Sequence, residues 1–407
     1  MKILSVHNKY QLPGGEDQVF AQEADLLRSH GHDVVLYQAS NDQVTGMNPL
    51  VLLGNTIFNK QIHQELRALM RREKPDIVHV HNTFPLISPA VYYAANREGI
   101  PVVQTLHNYR LLCPAGTLFR DGHVCEKCVT KSIPWPGVVH ACYRGSRLAT
   151  AAGAAMLATH NYKQTYNKTV SAYIALTDFA RDKFIEGGLP AEKILVKPNF
   201  LQTDPGRGEG QGNYALFVGR LTPEKGISTM LEAWQQIGHE LPLQIAGDGP
   251  SAAEVEKASR EMEGVTWLKW LPRADTLQRM KNASMLILPS TWYEGFPMIL
   301  AEAFAVGLPV IASNLGSMSS VVDHLRTGLH FEPGNASDLV EKVRWLRAHP
   351  AEVALMRTQA RREYETKYTG EENYAQMMQI YESVLSPQRS HAAGQADFAS
   401  VGGASVY

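Results

Sequence analysis

Apolar and polar residues alternate along the chain in one pattern that occurs twice. In the first half, helix-like stretches separate short apolar segments, namely KILSVH, DVVLYQ, PDIVHVH, PVVQTLH and SAYIALT. After the Gly-rich segment LQTDPGRGEGQGN, the pattern restarts with YALFVGR, LPLQIAGDG, VTWLKWL, SMLILPS and LPVIAS. Apolar strands that alternate with helices form a parallel sheet covered on both faces. We therefore predict an α/β fold with two Rossmann-like domains, joined near residues 200–212, that face each other across a cleft.

The predicted domain boundaries follow from this pattern. Residues 1–200 are expected to form the N-terminal domain, which contains a cysteine-rich insert at residues 107–145. Residues 201–368 are expected to form the C-terminal domain. Residues 386–407 lack helical periodicity, so we predict that they form a disordered tail.

Composition narrows the functional classes. The chain has 407 residues, too many for one ordinary core, with 44% hydrophobic and 19% charged residues, as in globular proteins. Its 39 Lys and Arg balance 40 Asp and Glu, so no nucleic-acid partner is expected. The start MKILSVHNKY has too short an apolar run for a signal peptide, and LATAAGAAMLA is too short to span a bilayer. We expect a cytoplasmic protein, either soluble or peripheral at the inner face of the membrane.

Two strand ends carry residues that suit a phosphate-bearing ligand. Gly14 and Gly15 in QLPGGED allow a tight turn and close approach of backbone amides to a ligand. Arg220 and Lys225 follow Gly219 in FVGRLTPEKG, and two cations at the end of a strand suit a diphosphate. The alternatives are an ordinary strand–helix turn for the glycines and solvated surface cations for Arg220 and Lys225.

A third strand end lies in STWYEGFPMILAEAF. Pro297 fits the first position of a helix, so the amides of Gly295 and Phe296 would form an anion-binding helix end. Glu294 precedes this helix and Glu302 lies about one and a half turns inside it. Both carboxylates can accept hydrogen bonds from sugar hydroxyls, although a capping charge and a solvated helix residue are the alternatives. Parallel sheets bind ligands beyond the carboxyl ends of their strands, so the three segments are expected to share one cleft.

With these motifs, residues 1–385 resemble the retaining glycosyltransferases of family 4, which have the GT-B fold. The most specific motif is E-x7-E, here EGFPMILAE, supported by VGRLTPEKG, AGDGP and GLPVIAS with TGLHFEPGN. The resemblance implies an acceptor-side N-terminal domain, a nucleotide-sugar-binding C-terminal domain, and a helix at residues 369–385 that crosses back to the first domain. One departure is Ser320, near which relatives often carry Glu.

The resemblance also implies roles for individual residues. Glu294 would contact hydroxyls of the donor sugar, Glu302 would bind the ribose, and His107 in QTLHNYR would lie beside the donor sugar. Arg220 and Lys225 would hold the diphosphate. The remaining donor-binding positions are Gly14, Gly15, Gly219, Gly295, Phe296 and Pro297. The candidate catalytic residues are therefore His107, Glu294, Arg220 and Lys225, and for His107 a purely structural role is the alternative.

Together these features predict a retaining, metal-independent hexosyltransferase of polysaccharide biosynthesis. Its donor would be a UDP- or GDP-linked sugar and its acceptor a glycan or a lipid-linked saccharide. Arg220, Lys225 and the helix end would stabilise the charge that builds on the leaving phosphate. No Asp-x-Asp motif suits a donor-bound Mg²⁺, so no cofactor is expected for catalysis. The alternatives are a nucleotide-sugar epimerase or hydrolase on the same fold, and a non-catalytic donor-binding pseudoenzyme.

All four cysteines lie in the insert. Cys113, Cys125, Cys128 and Cys142 have the spacing C-x11-C-x2-C-x13-C. Clustered cysteines in a cytosolic chain favour a metal over disulfides, and four thiolates can form a tetrahedral structural zinc site, with His123 or His140 able to replace one. The alternatives are reduced buried thiols, an iron–sulfur cluster and disulfides.

A segment after the insert suggests membrane contact. Arg144, Arg147, Lys163 and Lys168 flank a small-apolar helix in CYRGSRLATAAGAAMLATHNYKQTYNK. Relatives that act on lipid-linked acceptors often touch the membrane through the N-terminal domain. A core helix with solvated ends is the alternative.

Overall fold

The computed structural model describes residues 1–11 and 14–400, and for residues 387–400 it describes the backbone only. It contains two six-stranded sheets, one in each half of the chain, and every neighbouring pair of strands within them is parallel. The predicted α/β fold with two Rossmann-like domains is therefore confirmed.

The N-terminal sheet has the strand order β2-β1-β3-β4-β7-β8. Between β4 and β7 the chain forms a short antiparallel hairpin, β5–β6, within the cysteine-rich insert. The strands are β1 Lys2–Lys9, β2 Asp33–Ser40, β3 Ile77–Asn82, β4 Val102–Leu106, β5 Phe119–Arg120, β6 His123–Val124, β7 Ala172–Ala175 and β8 Ile194–Val196.

The C-terminal sheet has the order β11-β10-β9-β12-β13-β14. In both sheets the chain reverses its direction of winding beside the first strand, at β1/β3 and at β9/β12, and such switch points open a crevice for ligands. The strands are β9 Ala215–Val218, β10 Leu243–Ala246, β11 Val265–Lys269, β12 Met285–Leu288, β13 Val310–Ser313 and β14 Gly328–Phe331.

Helices cover both faces of each sheet. In the N-terminal domain they are α1 Gly15–Ser29, α2 Pro49–Ile57, α3 Lys60–Glu73, α4 Ala90–Arg97, α5 Trp135–Val139, α6 Arg147–Tyr162, α7 Thr165–Thr169 and α8 Asp178–Glu186. In the C-terminal half they are α9 Ile227–Ile237, α10 Ala252–Glu261, α11 Arg273–Asn282, α12 Met298–Ala305, α13 Gly316–Val321, α14 Ala336–Ala348, α15 Pro350–Lys367 and α16 Gly370–Ser400. Short 3-10 turns occupy Asn41–Val44, Ala191–Lys193, Pro223–Lys225 and Gly238–Glu240.

The strands are apolar on both faces because each sheet lies between two hydrophobic clusters. Along β1, Leu4 and Val6 point into one cluster, whereas Ile3 points into the other. In the C-terminal sheet, Phe217 and Leu216 likewise point to opposite sides. This alternation with period 2 explains why the strands read as continuous apolar runs in the sequence.

Helix α16 returns to the N-terminal domain. Its residues Met377, Ile380 and Tyr381 are buried in the cluster that contains Ile3 and Leu27. Next to this return, the Leu201 N–H donates to the carbonyl of Tyr368 at 2.9 Å, so the two interdomain crossings run side by side. The two domains are thus held together by paired backbone and by a docked helix.

Two details differ from the sequence-based expectations. Helix α16 continues to Ser400, past residue 386, where the disordered tail was expected to begin. Residues 401–407 lie outside the described part of the chain. Pro297 is the N-cap of α12 rather than its first helical residue, because its ψ of 115° is extended.

Among the described residues, no helix combines the length and the apolar character that crossing a bilayer requires. Helix α6, which contains LATAAGAAMLA, buries one side, including Met156 and Leu157, against the N-terminal core. Arg144, Arg147, Lys163 and Lys168 are exposed around it.

Candidate functional site

A cleft of about 560 Å³ lies between the two domains, beyond the carboxyl ends of β1, β4, β9 and β12. This is the position at which doubly wound parallel sheets bind ligands. The predicted residues that line it are Gly14, Gly15, His107, Arg220, Glu294, Gly295, Phe296 and Pro297. Lys225, Gly219 and Glu302 are not among the lining residues, but Lys225 forms an ion pair with Glu294, which does line the cleft.

The turn after β9 carries Arg220 and Lys225, which differ in their contacts. Arg220 is exposed in the cleft and has no ion pair with any residue that the structure describes. Lys225 ends the 3-10 turn Pro223–Lys225, which is followed by Gly226 at a φ of 71°. A Cβ on Gly226 would lie 1.9 Å from the carbonyl oxygen of Pro289, so only glycine lets this turn approach the end of β12. That close approach brings Lys225 to Glu294.

Lys225 and Glu294 form an ion pair at the centre of the cleft wall. The Lys225 Nζ lies 2.6 Å from Glu294 Oε1, which also accepts a 2.7 Å hydrogen bond from Ser290 Oγ. Burial alone would raise the pKa of Glu294, but the Lys225 charge and the hydrogen bonds hold that pKa below its usual value. Glu294 is therefore an ionised hydrogen-bond acceptor, oriented by Lys225.

The two domains touch at this site. A Cβ on Gly295 would lie 2.7 Å from the carbonyl oxygen of His107, so the segment before α12 packs directly on the end of β4. Tyr109 Oη adds a long hydrogen bond of 3.4 Å to the Glu294 carbonyl. His107 and Glu294, which are far apart in sequence, consequently face the same part of the cleft.

Glu302, the second glutamate of the E-x7-E motif, is held by another element. It is the fifth residue of α12, and its Oε1 lies 3.3 Å from Nε of Arg273, at the start of α11. Burial raises the pKa of Glu302 above its usual value, and the Arg273 charge opposes this shift. Glu302 and its ion-pair partner Arg273 both lie in the C-terminal domain.

The glycine segment marks the start of α1. Gly14 is the N-cap, and its N–H donates to Asp17 Oδ2 at 2.8 Å. Apart from the adjoining backbone, none of the described residues has an atom within 4 Å of a Cβ built on Gly15, which lines the cleft. Glu16, which sequence analysis did not single out, also lines the cleft, and Asn108 Nδ2 donates to its Oε1 at 2.8 Å.

His107 is backed by a buried polar chain. His81 Nδ1 lies 3.0 Å from His107 Nε2, and the two rings stack with 5.3 Å between centroids. Behind His81, Nε2 lies 3.6 Å from Glu23 Oε2, and Glu23 Oε1 is 2.6 Å from Lys197 Nζ. Burial, followed by the neighbouring positive charges, lowers the pKa of both His81 and His107 well below their usual range. Both imidazoles are therefore neutral at physiological pH.

Glu23, His79 and His81 have ligand atoms within 4.8 Å of one another, as a metal site would require. Their other contacts disfavour a metal, however. The ammonium of Lys197 already pairs with Glu23, and both ring nitrogens of His79 are hydrogen-bonded, to Thr105 Oγ1 and Tyr381 Oη, each at 2.8 Å. A cation would have to displace these partners, and only Glu23 Oε2 and His81 Nε2 of the cluster lack a hydrogen-bond partner among the described residues.

One further residue escaped sequence analysis. Asn199 is buried at the edge of the cleft, and its side-chain Oδ1 has no hydrogen-bond partner among the described residues. A buried acceptor without a partner is costly unless a ligand or water supplies a donor. Its only sequence signal is its position in KPNF, just after β8 at the domain junction.

Comparisons with known proteins agree with this geometry. The profile of Glycosyltransferase Family 4 matches residues 13–205, and that of Glycosyl transferases group 1 matches residues 204–363. HepE from Anabaena, solved in complex with UDP, superposes with a TM-score of 0.67 at 17% identity over 94% of this chain and 100% of that one. The fold and the cleft thus define a GT-B protein. The two profiles span both domains, and the chain belongs to the family 4 glycosyltransferases, as the sequence motifs predicted.

Two curated relatives with 31% identity match over only part of their length. An uncharacterised glycosyltransferase of Methanocaldococcus jannaschii is 31% identical over 33% of this chain and 38% of its own. The lipopolysaccharide 1,6-galactosyltransferase of Salmonella typhimurium is 31% identical over 41% of this chain and 50% of its own. The matched segments therefore span half or less of these relatives.

Proposed function

We propose that this glycosyltransferase binds a nucleoside-diphosphate sugar in the interdomain cleft and transfers the sugar, with retention, to a hydroxyl of a glycan or lipid-linked saccharide. The observation that carries the proposal is the Lys225–Glu294 pair beside the unpaired Arg220 at the start of α12. A diphosphate needs cations and amide donors, and a sugar needs a carboxylate acceptor. The cleft offers both: the turn after β9 supplies the cations, and the segment before α12 supplies the amides and the carboxylate.

The reaction would place the leaving diphosphate against Arg220, Lys225 and the amides of Gly295 and Phe296. When the anomeric C–O bond breaks, its electron pair goes to the diphosphate, and these groups stabilise the added charge. The acceptor oxygen bonds to the anomeric carbon on the same face, and its proton passes to a phosphate oxygen. Retention by this route rests on the family resemblance.

The remaining residues would orient the donor. Glu294 would accept hydrogen bonds from sugar hydroxyls, and the neutral His107 would lie on the opposite side of the sugar. Glu302 would bind the ribose, and Gly14 with Gly15 would let the diphosphate approach α1. Two cations and a helix end supply the positive charge that a metal ion supplies in other transferases, which supports metal-independent transfer.

Thermal-shift titration with UDP, GDP, ADP and CDP tests the donor site. A nucleotide present at about 100 times its dissociation constant should stabilise the protein by about 2.7 kcal/mol. HepE is a structural neighbour that binds UDP, so UDP is the first nucleotide to test. Arg220→Ala should abolish the shift, whereas Arg260→Ala, on the exposed face of α10, should leave it unchanged. The absence of a shift with all four nucleotides would contradict the proposal.

Donor turnover separates the rival activities. A transferase should release the nucleotide slowly until an acceptor is added, whereas a hydrolase or epimerase would convert the donor without one. A pseudoenzyme would bind the nucleotide and show no turnover with any glycan or lipid extract. The family 4 resemblance and the intact cleft favour transfer.

The acceptor side suggests peripheral membrane contact. Trp135 and Val139 on α5 and Leu148 on the adjacent α6 are exposed apolar residues. Arg144 lies between these helices, and Arg147 is the first residue of α6. Apolar and basic side chains together suit an anionic membrane surface. The protein should float with vesicles that contain phosphatidylglycerol, and Arg147→Glu should weaken flotation. Equal recovery with and without anionic lipid would count against this contact.

A further inference from the structure

The cysteine-rich insert forms a second site, outside the donor cleft. Its cysteines come from three places: Cys113 from the loop after β4, Cys125 and Cys128 from the turn after the β5–β6 hairpin, and Cys142 from the segment after α5. All four line one small cavity, and all four are free thiols. The fold thus gathers residues that are 29 positions apart in sequence (113 to 142) around a single space.

The backbone holds these segments in place. The Cys125 N–H donates to the Leu118 carbonyl at 2.8 Å, and the Cys142 N–H donates to the Gly137 carbonyl at 3.0 Å. The Cys113 N–H donates to the Tyr109 carbonyl at 2.9 Å. The cysteines are therefore carried by ordered turns, which favours a built site over chance proximity.

Polar partners for the sulfurs are scarce. Cys113 and Cys128 are buried, and the thiol hydrogen bond found among the four is the weak one from Cys128 Sγ to the Pro134 carbonyl, at 3.8 Å. A bound cation would supply the polar partner that these sulfurs lack among the described residues.

The charges around the cavity fit a metal thiolate. A divalent ion with four thiolates carries two negative charges, and Arg120 and Lys127 also line this cavity. Lys127 would offset part of the charge of the complex, and so would Arg120, which also pairs with Asp121 at 3.0 Å. Zinc accepts tetrahedral thiolate coordination without redox chemistry, and one C-x-x-C knuckle after a hairpin is a common way of presenting two of its ligands.

We propose that Cys113, Cys125, Cys128 and Cys142 bind one structural Zn²⁺, which fastens the insert to the wall of the cleft. With zinc–sulfur bonds of about 2.3 Å, the sulfurs of a tetrahedral site lie about 3.8 Å apart. Among the described residues, only Glu23, His79 and His81 have three ligand atoms within 4.8 Å of one another, so no three of the cysteine sulfurs are that close together in this structure. Binding of Zn²⁺ would bring the three cysteine-bearing segments closer together around the cavity.

The site has a direct consequence for the cleft. Residues 108–110 and 115–117 line the N-terminal side of the cleft, and Cys113 lies between them. The Tyr109 N–H donates to the Gly116 carbonyl at 3.1 Å, which closes a turn around Cys113. An ion bound to Cys113 would fix this wall of the cleft through that turn. The metal would thus act on the shape of the cleft and not on the reacting atoms.

Metal analysis of the full-length protein tests this proposal. Protein purified without chelator from zinc-supplemented cells should contain about one zinc per chain by mass spectrometry. Cys128→Ser should lose the metal and melt at a lower temperature. Lys131 is an exposed residue of the same insert, so Lys131→Ala should keep the zinc content and the melting temperature of the wild type. Folded wild-type protein with iron, with disulfides, or with no metal would overturn the proposal.

Cobalt substitution defines the ligand set even if the serine variant does not fold. The wild-type protein reconstituted with Co²⁺ should show thiolate charge-transfer absorption and the visible bands of a tetrahedral tetrathiolate site. His123→Ala and His140→Ala should leave the spectrum unchanged. A spectrum with fewer than four thiolates, or one that changes in either histidine variant, would contradict the four-cysteine assignment.

Discussion

His81 Nδ1 lies 3.0 Å from Nε2 of His107, and only His107 of the two lines the cleft. If the N–H of His81 Nε2 faces Glu23, its Nδ1 must accept, and His107 must donate from Nε2. The Nδ1 of His107 is then the ring atom left to accept a hydrogen bond. His81 Nε2 and Glu23 Oε2 lie 3.6 Å apart, which is too far for a hydrogen bond. We therefore predict from the charge of Glu23 alone that this tautomer of His107, a residue proposed to face the donor sugar, is favoured.

Replacement of His81 should impair the reaction and leave the donor site intact. His81→Phe keeps an aromatic ring beside His107 but removes its hydrogen-bond partner. We expect kcat to fall by about 10²-fold through misplacement of His107, with little change in the KM of the donor. His63→Phe, a partly buried histidine of α3 on the far side of the domain, is the control.

A second readout separates positioning from a structural effect. The nitrogen chemical shifts of His107 should report the Nε2–H tautomer in the wild type and a mixture of tautomers in His81→Phe. Unchanged kcat with a changed tautomer would show that the His81 contact is structural only.

Stability should decrease as the pH falls from 7 to 5. Burial lowers the pKa of His79 to about 4, and lowers those of His81 and His107 well below their usual range. Below an unfolded-state pKa of about 6.5, the unfolded chain binds protons that the folded chain excludes, so folding becomes less favourable. At pH 5 the shift of His79 should cost about 2 kcal/mol, and the shifts of His81 and His107 act in the same direction.

Urea unfolding at several pH values measures this effect. The raised pKa values of Glu16 and Glu302 act in the opposite direction, so the comparison needs a variant. His79→Asn, which keeps a polar side chain near Thr105 and Tyr381, should show a shallower dependence on pH. Parallel curves for variant and wild type would show that His79 does not titrate in this way.

Glu302 should contribute to nucleoside binding alone. Its carboxylate lies in the C-terminal domain beside Arg273, away from the Lys225–Glu294 pair. Loss of a hydrogen bond to a charged group costs about 1.5–3 kcal/mol, so Glu302→Ala should weaken UDP about 10- to 150-fold by calorimetry. Pyrophosphate affinity should stay the same; a parallel loss for pyrophosphate would place Glu302 near the phosphates instead.

The fold and one wall of the cleft could be predicted from sequence because they depend on local patterns. Period-2 burial of strands such as β3 makes them visible as apolar runs, and strand ends in parallel sheets meet at one edge. The glycine segment, Arg220 and Glu294 were therefore expected to meet, and they line the same cleft.

The polar contacts behind the cleft could not be predicted in this way. His81 is simply one residue of the strand segment PDIVHVH, and nothing local links it to Glu23 or Lys197, which lie in α1 and after β8. The Arg273 partner of Glu302 likewise depends on how α11 packs near α12. Such contacts are set by tertiary packing and leave no periodic signal.

Gly226 should be intolerant of substitution for structural reasons. Gly226→Ala would place a Cβ 1.9 Å from the Pro289 carbonyl in a left-handed backbone conformation. We expect a stability loss of about 1–3 kcal/mol from the strained backbone alone, and misplacement of Lys225. Gly54→Ala, in helix α2 with open space around the new methyl group, should be neutral or stabilising by up to about 1 kcal/mol. Equal effects of the two substitutions on thermal unfolding would contradict this explanation.

The buried pair of Lys197 and Glu23 should be the most sensitive feature of the N-terminal domain. Lys197 Nζ lies 2.6 Å from Glu23 Oε1 and 3.2 Å from Asn373 Oδ1 of α16, and both charged side chains are almost completely buried. Lys197→Met leaves an uncompensated carboxylate, which typically costs about 3–5 kcal/mol. Removal of both charges in Glu23→Gln with Lys197→Met should recover most of that loss, because neither residue then keeps an unpaired charge. A double-mutant cycle by urea unfolding measures the coupling, and additive losses would show that the two charges are stabilised independently.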